Sequence, residues 1–489
     1  MSTALTLHSA SLLAIFHIVI LIGISVRVIM RRANTGVALA WLFIVAALPF
    51  YGAGFYLFLG ERRISRTRVR RIAARKTEYA KLVQQGIEQG LTQVAWDRHS
   101  HDARSMDRLG MRMIGFPTVA GCTGTLYSVT AETLDAITQD IEDARYSVLM
   151  EFYIWNEGGK ADQVLDALIR AAQRGVTCRV LIDALGARPW WKGNQPGQLR
   201  EAGVQVVPAL PVGLLRTFVA RTDLRMHRKI VIIDNAIAWT GSMNLVDPKF
   251  FKQDANVGEW VDAMVRVEGA VVAPLALTII GDWMLETGES LEKVIADAQL
   301  DATIPVGNGD AQVVPSGPGE TDDGLLQMLL AAINSANREL VLTTPYFVPD
   351  ESLLRALRGA AARGVEVHMI LPEKVDSLLT RYASRSYYDE LMDIGVHIHL
   401  YRTGLLHTKS ITADRQITMF GTVNLDMRSI WINYEVVLFV YGIEFGSQIR
   451  ELQQSYIDDS DLLIAEEWAK RGIRQRFLEN TFRLMGPLL

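Results

Sequence analysis

The stretch MHRKIVIIDNAIAWTGSMN, residues 226–244, carries one His, one Lys and one Asp at fixed spacings. The stretch LHTKSITADRQITMFGTVN, residues 406–424, carries the same three at the same spacings. Both follow the pattern H-x-K-x4-D-x6-G-[S/T]-x-N. The two copies consist of His227, Lys229, Asp234, Gly241, Ser242 and Asn244, and of His407, Lys409, Asp414, Gly421, Thr422 and Asn424. One copy alone would fit a surface strand with scattered polar residues, but two complete copies favour two halves of one site.

The residue types in the repeated pattern suit chemistry on an anionic oxygen. His and Lys two positions apart lie on one face of a strand, because side chains alternate along it. Lys supplies charge, Ser or Thr and Asn supply neutral hydrogen bonds, and His transfers a proton or attacks. With an ordinary His pKa of about 6.5, one neutral and one protonated imidazole are expected to coexist near neutral pH.

The segments around the two motifs also recur in the same order. ALIRAAQRGVTCRVLIDALG, residues 167–186, matches ALRGAAARGVEVHMILPEKV, residues 356–375. Each predicts an amphipathic helix that ends at a glycine, Gly175 or Gly364, and a buried strand after it. Alternating helices and strands predict an α/β sheet in each half, and two copies of so large a unit predict a duplicated domain.

The two halves differ in the approach to the motif, which is longer in the first half. The extra length falls at PVGLLRTFVARTDLR, residues 211–225, which mixes apolar side chains with Arg216, Arg221 and Arg225. An ordinary packed helix and a lipid-facing entrance are two open interpretations of this stretch.

The N-terminus has a different character from the rest of the chain. Residues 1–26 and 33–60 contain no Asp, Glu, Lys or Arg, and each run is long enough for a membrane helix, which needs about 20 apolar residues. We therefore expect an N-terminal pair of hydrophobic membrane helices, with a hairpin that enters the membrane without fully crossing it as the alternative. The first run lacks the basic n-region of a cleaved signal peptide.

A basic run, RRISRTRVRRIAARK, follows at residues 62–76. The positive-inside rule places this run and everything after it in the cytoplasm, although Arg27, Arg31 and Arg32 between the two apolar runs conflict mildly with it. A solvated helix and attraction to anionic lipid head groups are two interpretations of the run.

Length and composition narrow the classes further. The 489 residues are too many for one ordinary core, and the net charge of −4 weighs against a dedicated nucleic-acid binder. Only two cysteines occur, Cys122 and Cys178, which excludes a disulfide framework and a Cys-based zinc site. No acidic metal-binding cluster stands out, so neither a metal nor a cofactor is expected.

The repeated pattern resembles the double HKD signature of the phospholipase D superfamily. The resemblance extends to the bacterial cardiolipin synthases through the N-terminal hydrophobic pair and through EFYIW, DLRMHRKIVIIDN, GSMNLVDPKFFKQD, TTPYFVPD, LLHTKS and GTVNLDMRS. It implies an α/β fold of two phospholipase D-like domains related by a pseudo-two-fold axis, each a β-sheet flanked by helices. The expected boundaries are 1–60 for the membrane hairpin, 61–115 for a basic juxtamembrane segment and linker, 116–300 for the first domain and 301–489 for the second.

The resemblance also implies roles for individual residues. One His attacks phosphorus and forms a phosphohistidine, while the other protonates the leaving alkoxide and then deprotonates the incoming alcohol. The sequence does not decide between the two, and we favour His227 as the nucleophile. The catalytic motif comprises His227, Lys229, Asp234, His407, Lys409 and Asp414, in which both aspartates are expected to be structural. The phosphate and its surroundings are assigned to Ser242, Asn244, Asp262, Thr422, Asn424 and Glu435, with Asp262 and Glu435 as the carboxylates that orient the imidazoles.

The implied reaction joins two phosphatidylglycerol molecules into cardiolipin and releases glycerol, at a bacterial inner membrane with the catalytic domains on the cytoplasmic side. A hydrolytic phospholipase D and a phosphatidyltransferase with another alcohol acceptor are the alternatives. A superfamily nuclease is disfavoured by the hydrophobic pair and the acidic balance, and a non-catalytic lipid-binding scaffold by the two intact motifs. Acyl-chain preference and oligomeric state are not predicted.

Overall fold

The computed structural model describes residues 2–31, 35–48, 50–60, 66–211, 223–299, 305–320, 323–484 and 486. The chain divides into two compact units, residues 1–67 with 212–223, and residues 68–211 with 224–489. Residues 212–222 lie outside the described part, so both interpretations of the extra stretch stay open. The boundaries at 60, 115 and 300 stay predictions.

The described residues of the small unit form three helices: α1 (Ser2–Met30), α2 (Thr35–Ala47) and α3 (Tyr51–Leu59). The second apolar run is thus two short helices, which corrects the expectation of one continuous helix. The sequence has Pro49 at the break, and a residue before proline disfavours the helical conformation. The two helices are about 20 and 14 Å long, against a hydrocarbon core of about 30 Å. Across the described residues, no helix combines the length and the apolarity that crossing a membrane requires.

Two helices lead into the sheet of the large unit, α4 (Arg66–Glu88) and α5 (His101–Met113). Most of the basic run lies on α4, and two of its arginines point into the interior. Arg68 donates to the hydroxyl of Tyr434 at 3.0 Å, and Arg75 is buried in an ion pair with Glu320. Both side chains are largely withdrawn from solvent and from lipid, whereas Arg70 and Lys76 on the same helix are exposed, so both interpretations stay open for the rest of the run.

The first half of the large unit contains eight strands and six α-helices among its described residues. In chain order they are β1 (Val119–Tyr127), α6 (Thr130–Asp143), β2 (Ser147–Phe152), α7 (Lys160–Gln173), β3 (Thr177–Asp183), α8 (Arg188–Trp191), α9 (Gln195–Glu201), β4 (Gln205–Ala209), β5 (Ile230–Ile233), β6 (Ile237–Gly241), β7 (Trp260–Val261), β8 (Met264–Gly269), α10 (Val272–Thr287) and α11 (Leu291–Ala298).

The second half repeats this order and extends it at the C-terminus. Its elements are β9 (Gly309–Ser316), α12 (Gly324–Ser335), β10 (Glu339–Thr343), β11 (Phe347–Val348), α13 (Glu351–Ala362), β12 (Glu366–Pro372), α14 (Leu378–Arg385), α15 (Tyr388–Asp393), β13 (Val396–Tyr401), β14 (Leu405–Leu406), β15 (Ser410–Ala413), β16 (Ile417–Gly421), β17 (Leu425–Asp426), α16 (Met427–Trp431), β18 (Glu435–Tyr441), α17 (Ile443–Asp458), β19 (Ser460–Leu462), α18 (Ala465–Trp468) and α19 (Ile473–Arg483).

The described strands form one mixed sheet of 15 strands and two small two-stranded sheets. In the large sheet, β1 and β9 pair antiparallel at the junction between the halves. Outward from β1 the order is β8, β6, β5, β2, β3 and β4, and outward from β9 it is β18, β16, β15, β10, β12, β13 and β19. The same order in the two halves confirms the predicted duplication and the α/β class.

Local sequence explains why the two halves fold alike. Gly175 and Gly364 follow the helices α7 and α13 with φ of 90° and 86°, a conformation that glycine adopts without strain, as the sequence predicted. The strands that follow, β3 and β12, are largely buried, since helices cover the parallel part of the sheet. The two motifs are thereby placed at equivalent positions, just before β5 and β15.

Candidate active site

Each motif begins where its strand meets the other half of the molecule. The backbone N–H of His227 donates to the carbonyl of Tyr434 at 2.9 Å, and that of His407 donates to the carbonyl of Val261 at 2.8 Å. In the second case the short strands β14 and β7 also pair in parallel. These reciprocal contacts join the two motifs into one site, as the repeat predicted.

The carboxylates that orient the histidines are exchanged between the halves. His227 Nδ1 lies 2.9 Å from Glu435 Oε2, and His407 Nδ1 lies 2.7 Å from Asp262 Oδ1. Each carboxylate therefore serves the histidine of the opposite motif, a crossing that the sequence did not reveal. With Nδ1 held by a carboxylate, Nε2 is the ring nitrogen left for a substrate.

The hydroxyl groups of the motifs hold these carboxylates in place. Ser242 Oγ donates to Asp262 Oδ1 at 2.6 Å, and Thr422 Oγ1 donates to Glu435 Oε2 at 2.5 Å. Asn433 donates a further bond to the other oxygen of Glu435 at 3.1 Å. In this arrangement Ser242 and Thr422 act on the orienting carboxylates.

The lysines and asparagines of the motifs are also buried. Lys229 donates to the carbonyl of His227 at 2.6 Å, and Lys409 makes the equivalent bond to His407. The Oδ1 atom of Asn244 accepts the N–H of Ile154 at 3.3 Å, whereas Asn424 Oδ1 has no partner among the described residues.

Burial sets the charge state of this site. Desolvation lowers the pKa of both His227 and His407 to about 4, although the carboxylates of Glu435 and Asp262 oppose it. Burial therefore favours the neutral form of both imidazoles near neutral pH, and the pair of one neutral and one protonated histidine stays a prediction for the phosphate-bound site. An anionic phosphate placed between the lysines would raise the pKa of the nearby imidazole again.

Desolvation also lowers the pKa of the lysines, to about 8 for Lys229 and about 7 for Lys409. The pKa of Asp262 is lowered to about 2, because His407 and Lys409 outweigh the opposing effect of burial. The site is thus held ready for an anion that would restore full positive charge to both lysines.

The two motif aspartates lie in the turns at the far ends of β5 and β15. Asp234 accepts the backbone N–H groups of Arg145, Tyr146 and Ser147 at 2.8 Å. Asp414 accepts those of residues 337–339 at 2.8–2.9 Å in the same manner. These contacts tie each turn to the start of the neighbouring strand, which supports the structural interpretation of both residues.

Several residues around the histidines were not predicted from the sequence. The ring of Tyr153 lies 5.0 Å from that of His227, and the ring of Trp260 lies 4.4 Å from that of His407. Lys252 Nζ lies 5.4 Å from the centre of the Trp260 ring. Tyr153 belongs to EFYIW, and Trp260 stands two positions before Asp262. Their position in or beside the motifs that resemble the family was the sequence signal for both. Among the described residues, no group of three His, Cys, Asp or Glu side chains is placed to hold a metal ion.

Comparison with known proteins agrees with the duplicated site. The family described as "Cardiolipin synthase, PLD-like domain" matches residues 137–264 and 329–456, one copy in each half. Cardiolipin synthase A of Serratia proteamaculans (strain 568) is 43% identical over 467 residues, covering 96% of this chain and 96% of the relative. Cardiolipin synthase A of Erwinia tasmaniensis is 42% identical over 484 residues, covering 98% of each.

Among solved structures, phosphatidylserine synthase of Haemophilus influenzae Rd KW20 shares the fold. Its TM-score is 0.60 at 14% identity, and the match covers 79% of this chain and 100% of that one. The fold and the paired motifs are those of the phospholipase D-like proteins. Within that class, the chain belongs to the cardiolipin synthase family, whose enzymes are phosphatidyltransferases.

Proposed function

We propose that this enzyme transfers a phosphatidyl group from one phosphatidylglycerol to another, giving cardiolipin and glycerol. The observation that carries the proposal is the pair of exchanged contacts, His227 with Glu435 and His407 with Asp262. Two oriented imidazoles in one site suit a double displacement, in which one attacks and the other handles protons. The relatives named cardiolipin synthase A support the choice of product.

In the first step, Nε2 of His227 attacks phosphorus and forms a P–N bond as the P–O bond to glycerol breaks. His407, which is protonated at Nε2 once the anionic phosphate is bound, gives that proton to the departing glycerol oxygen. In the second step, a hydroxyl of the second phosphatidylglycerol gives its proton to His407 and attacks phosphorus, and the P–N bond breaks. One phosphodiester replaces another, so the reaction needs no nucleotide.

Lys229, Lys409, Asn244 and Asn424 are proposed to hold the phosphate oxygens. A neutral imidazole avoids the repulsion that an anionic nucleophile would meet at a phosphodiester, which the lowered His pKa supports. Buried lysine charges stabilise the charge that builds up on the phosphorane-like state more strongly than they would in water.

The location is proposed to be the inner membrane of a bacterium, with the catalytic domains on the cytoplasmic side and the N-terminal helices in the bilayer. Large apolar side chains exposed on α1 and α2, such as Ile15, Phe16 and Phe43, support an apolar environment for them. The break between α2 and α3 favours a hairpin that enters the bilayer without a second full crossing. Anionic phospholipid is then both surroundings and substrate.

Incubation of the purified protein with phosphatidylglycerol alone, without nucleotide or added metal, tests the reaction. We expect cardiolipin and glycerol in equal amounts by lipid and glycerol analysis. The variant His227→Ala should lower the rate by about 10³-fold or more, whereas His397→Ala, which changes an exposed histidine on β13, should not. Phosphatidic acid as the main product would instead identify a hydrolytic phospholipase D.

A further inference from the structure

Two helices of the second half carry exposed apolar side chains. The helices α14 and α19 pack together through the stacked rings of Tyr382 and Phe482, 5.4 Å apart, and through the ion pair of Arg385 with Glu479. Four large apolar side chains on or at the ends of these helices are nevertheless two-thirds or more exposed: Leu378 (66%), Ile473 (84%), Phe477 (71%) and Leu484 (83%). We call these four residues the α14–α19 face.

The members on α19 form one stripe. Ile473, Phe477 and Leu484 are four and seven positions apart, which puts them on one side of a helix. Glu479, the acidic residue of this helix, is buried in its ion pair. A stripe of exposed apolar groups beside buried polar contacts is typical of an interaction surface.

A short chain of contacts connects this face to the catalytic site. The ring of Trp260 packs on His407, and Lys252 lies over that ring. Lys252 Nζ pairs with Asp376 Oδ2 at 2.9 Å, which joins the two halves of the large unit. Asp376 stands two residues before Leu378, where α14 begins. The exposed apolar side chains therefore begin next to the residues that surround His407.

The charges of α19 indicate what covers the face. Lys470, just before the helix, and Arg474 and Arg476 on it are exposed. Apolar side chains flanked by cations are the combination that binds the surface of an anionic bilayer, where the apolar groups enter and the cations meet the head groups. Glu466 and Glu467 on the neighbouring α18 make a second copy of this chain the competing occupant.

We propose that the α14–α19 face inserts into the surface of an anionic phospholipid bilayer and holds the surroundings of His407 against it. The inference rests on the proposed function, because a lipid substrate must pass from the bilayer into the site. The face would act in addition to the N-terminal helices, by orienting the large unit.

Site-specific labelling of the full chain tests the contact. Both native cysteines are buried, so a fluorophore on Phe477→Cys is selective, and Arg355→Cys on the exposed surface of α13 is the matched control. After reconstitution into phosphatidylglycerol vesicles with nitroxide-labelled acyl chains, we expect strong quenching at position 477 and little at position 355. Weak quenching at both positions would overturn the proposal. Quenching at position 477 that is as strong in phosphatidylcholine vesicles as in phosphatidylglycerol vesicles would overturn the choice of an anionic surface. If the fluorescence emission at position 477 instead shifts with protein concentration in detergent without vesicles, the face binds a second copy of this chain and not a bilayer.

Activity separates this inference from the proposed function. The double variant Ile473→Ser with Phe477→Ser removes two apolar side chains that would be buried in the bilayer. Its activity on phosphatidylglycerol vesicles should therefore fall by about tenfold or more. On dibutanoyl-phosphatidylglycerol, which dissolves as monomers, its activity should equal that of the unmodified protein. Equal activities on vesicles would overturn the docking face alone, whereas the absence of cardiolipin with both substrates and the unmodified protein would overturn the proposed function.

Discussion

The two halves of the large unit present matched groups to the site but differ in what supports them from behind. Behind the first motif, Arg228 is buried and pairs with Asp282 on α10. At the equivalent place in the second motif, Thr408 shares a hydrogen bond of 2.9 Å with Tyr456 on α17. The two halves thus share the reacting groups, but a buried ion pair supports the first motif and a neutral hydrogen bond supports the second.

The charged support in the first half extends to α4. Arg228 Nε donates to the carbonyl of Glu435 at 2.9 Å, and Arg75 on α4 lies 3.8 Å from the Asp282 carboxylate that Arg228 binds. Glu151 on β2 is buried beside them, and desolvation and Asp282 hold its pKa well above the ordinary value.

The neutral support in the second half continues along α17, although Thr408 also donates to the carbonyl of Val261 in the first half at 3.3 Å. Gln453 on α17 is buried, accepts from Thr412 at 2.7 Å, and donates to Ser410 and to the carbonyl of Val341 at 3.0 and 3.2 Å. Thr343 stands at the position equivalent to Glu151. The charged support of the first half therefore includes α4, the helix that follows the N-terminal apolar runs, through Arg75.

The largest expected effect concerns the two carboxylates. If His227 attacks, Glu435→Gln should slow formation of the phosphoenzyme by about 10²–10⁴-fold, because the imidazole loses its orientation and tautomer. Asp262→Asn should slow departure of glycerol by a similar factor, because His407 then donates its proton poorly.

A donor whose leaving group needs no proton distinguishes the attack by one histidine from the proton donation by the other. With phosphatidyl-p-nitrophenol, the burst of p-nitrophenolate should recover in Asp262→Asn and stay slow in Glu435→Gln. Asn433→Ala, which removes one contact to Glu435, is the milder control. Recovery in Glu435→Gln instead would assign the attack to His407.

An intermediate effect concerns stability. Arg228→Met leaves the buried Asp282 with only the more distant Arg75, and breaking a buried ion pair costs about 3–5 kcal/mol. Thr408→Val removes the hydroxyl that bonds to Tyr456 and to the carbonyl of Val261, both uncharged, and should cost about 1–2 kcal/mol. Urea unfolding of the full chain in detergent measures both, and Asp282→Asn added to Arg228→Met should recover part of the loss. Equal losses in Arg228→Met and Thr408→Val would show that the two supports are equivalent.

The sequence predicted the parts of this comparison that are local. Periodicity, the glycines after α7 and α13, and the repeated motif were enough for the α/β duplication and for the joining of His227 and His407 in one site. The exchange of carboxylates was not predictable, because it depends on how strands of different halves meet. The inward contacts of Arg68 and Arg75 were not predicted, because a run of basic residues is usually solvated and their partners Tyr434, Glu286 and Glu320 lie far away in the sequence.

The smallest expected effect separates the two lysines by pH. Their pKa values are lowered to about 8 for Lys229 and about 7 for Lys409, so each is charged below its pKa and neutral above it. If charge at both positions stabilises the reacting phosphate, kcat/KM should fall as pH rises, first through about 7 and then through about 8. In the pH profile of kcat the fall should occur at higher pH, because the bound anion raises the pKa of both lysines. Lys409→Arg, which stays charged, should remove the first fall from whatever activity remains, and Lys229→Arg should leave it in place. If both variants lose the same fall in kcat/KM, the two lysines titrate as one pair. The halves would then be electrostatically equivalent where they meet the substrate.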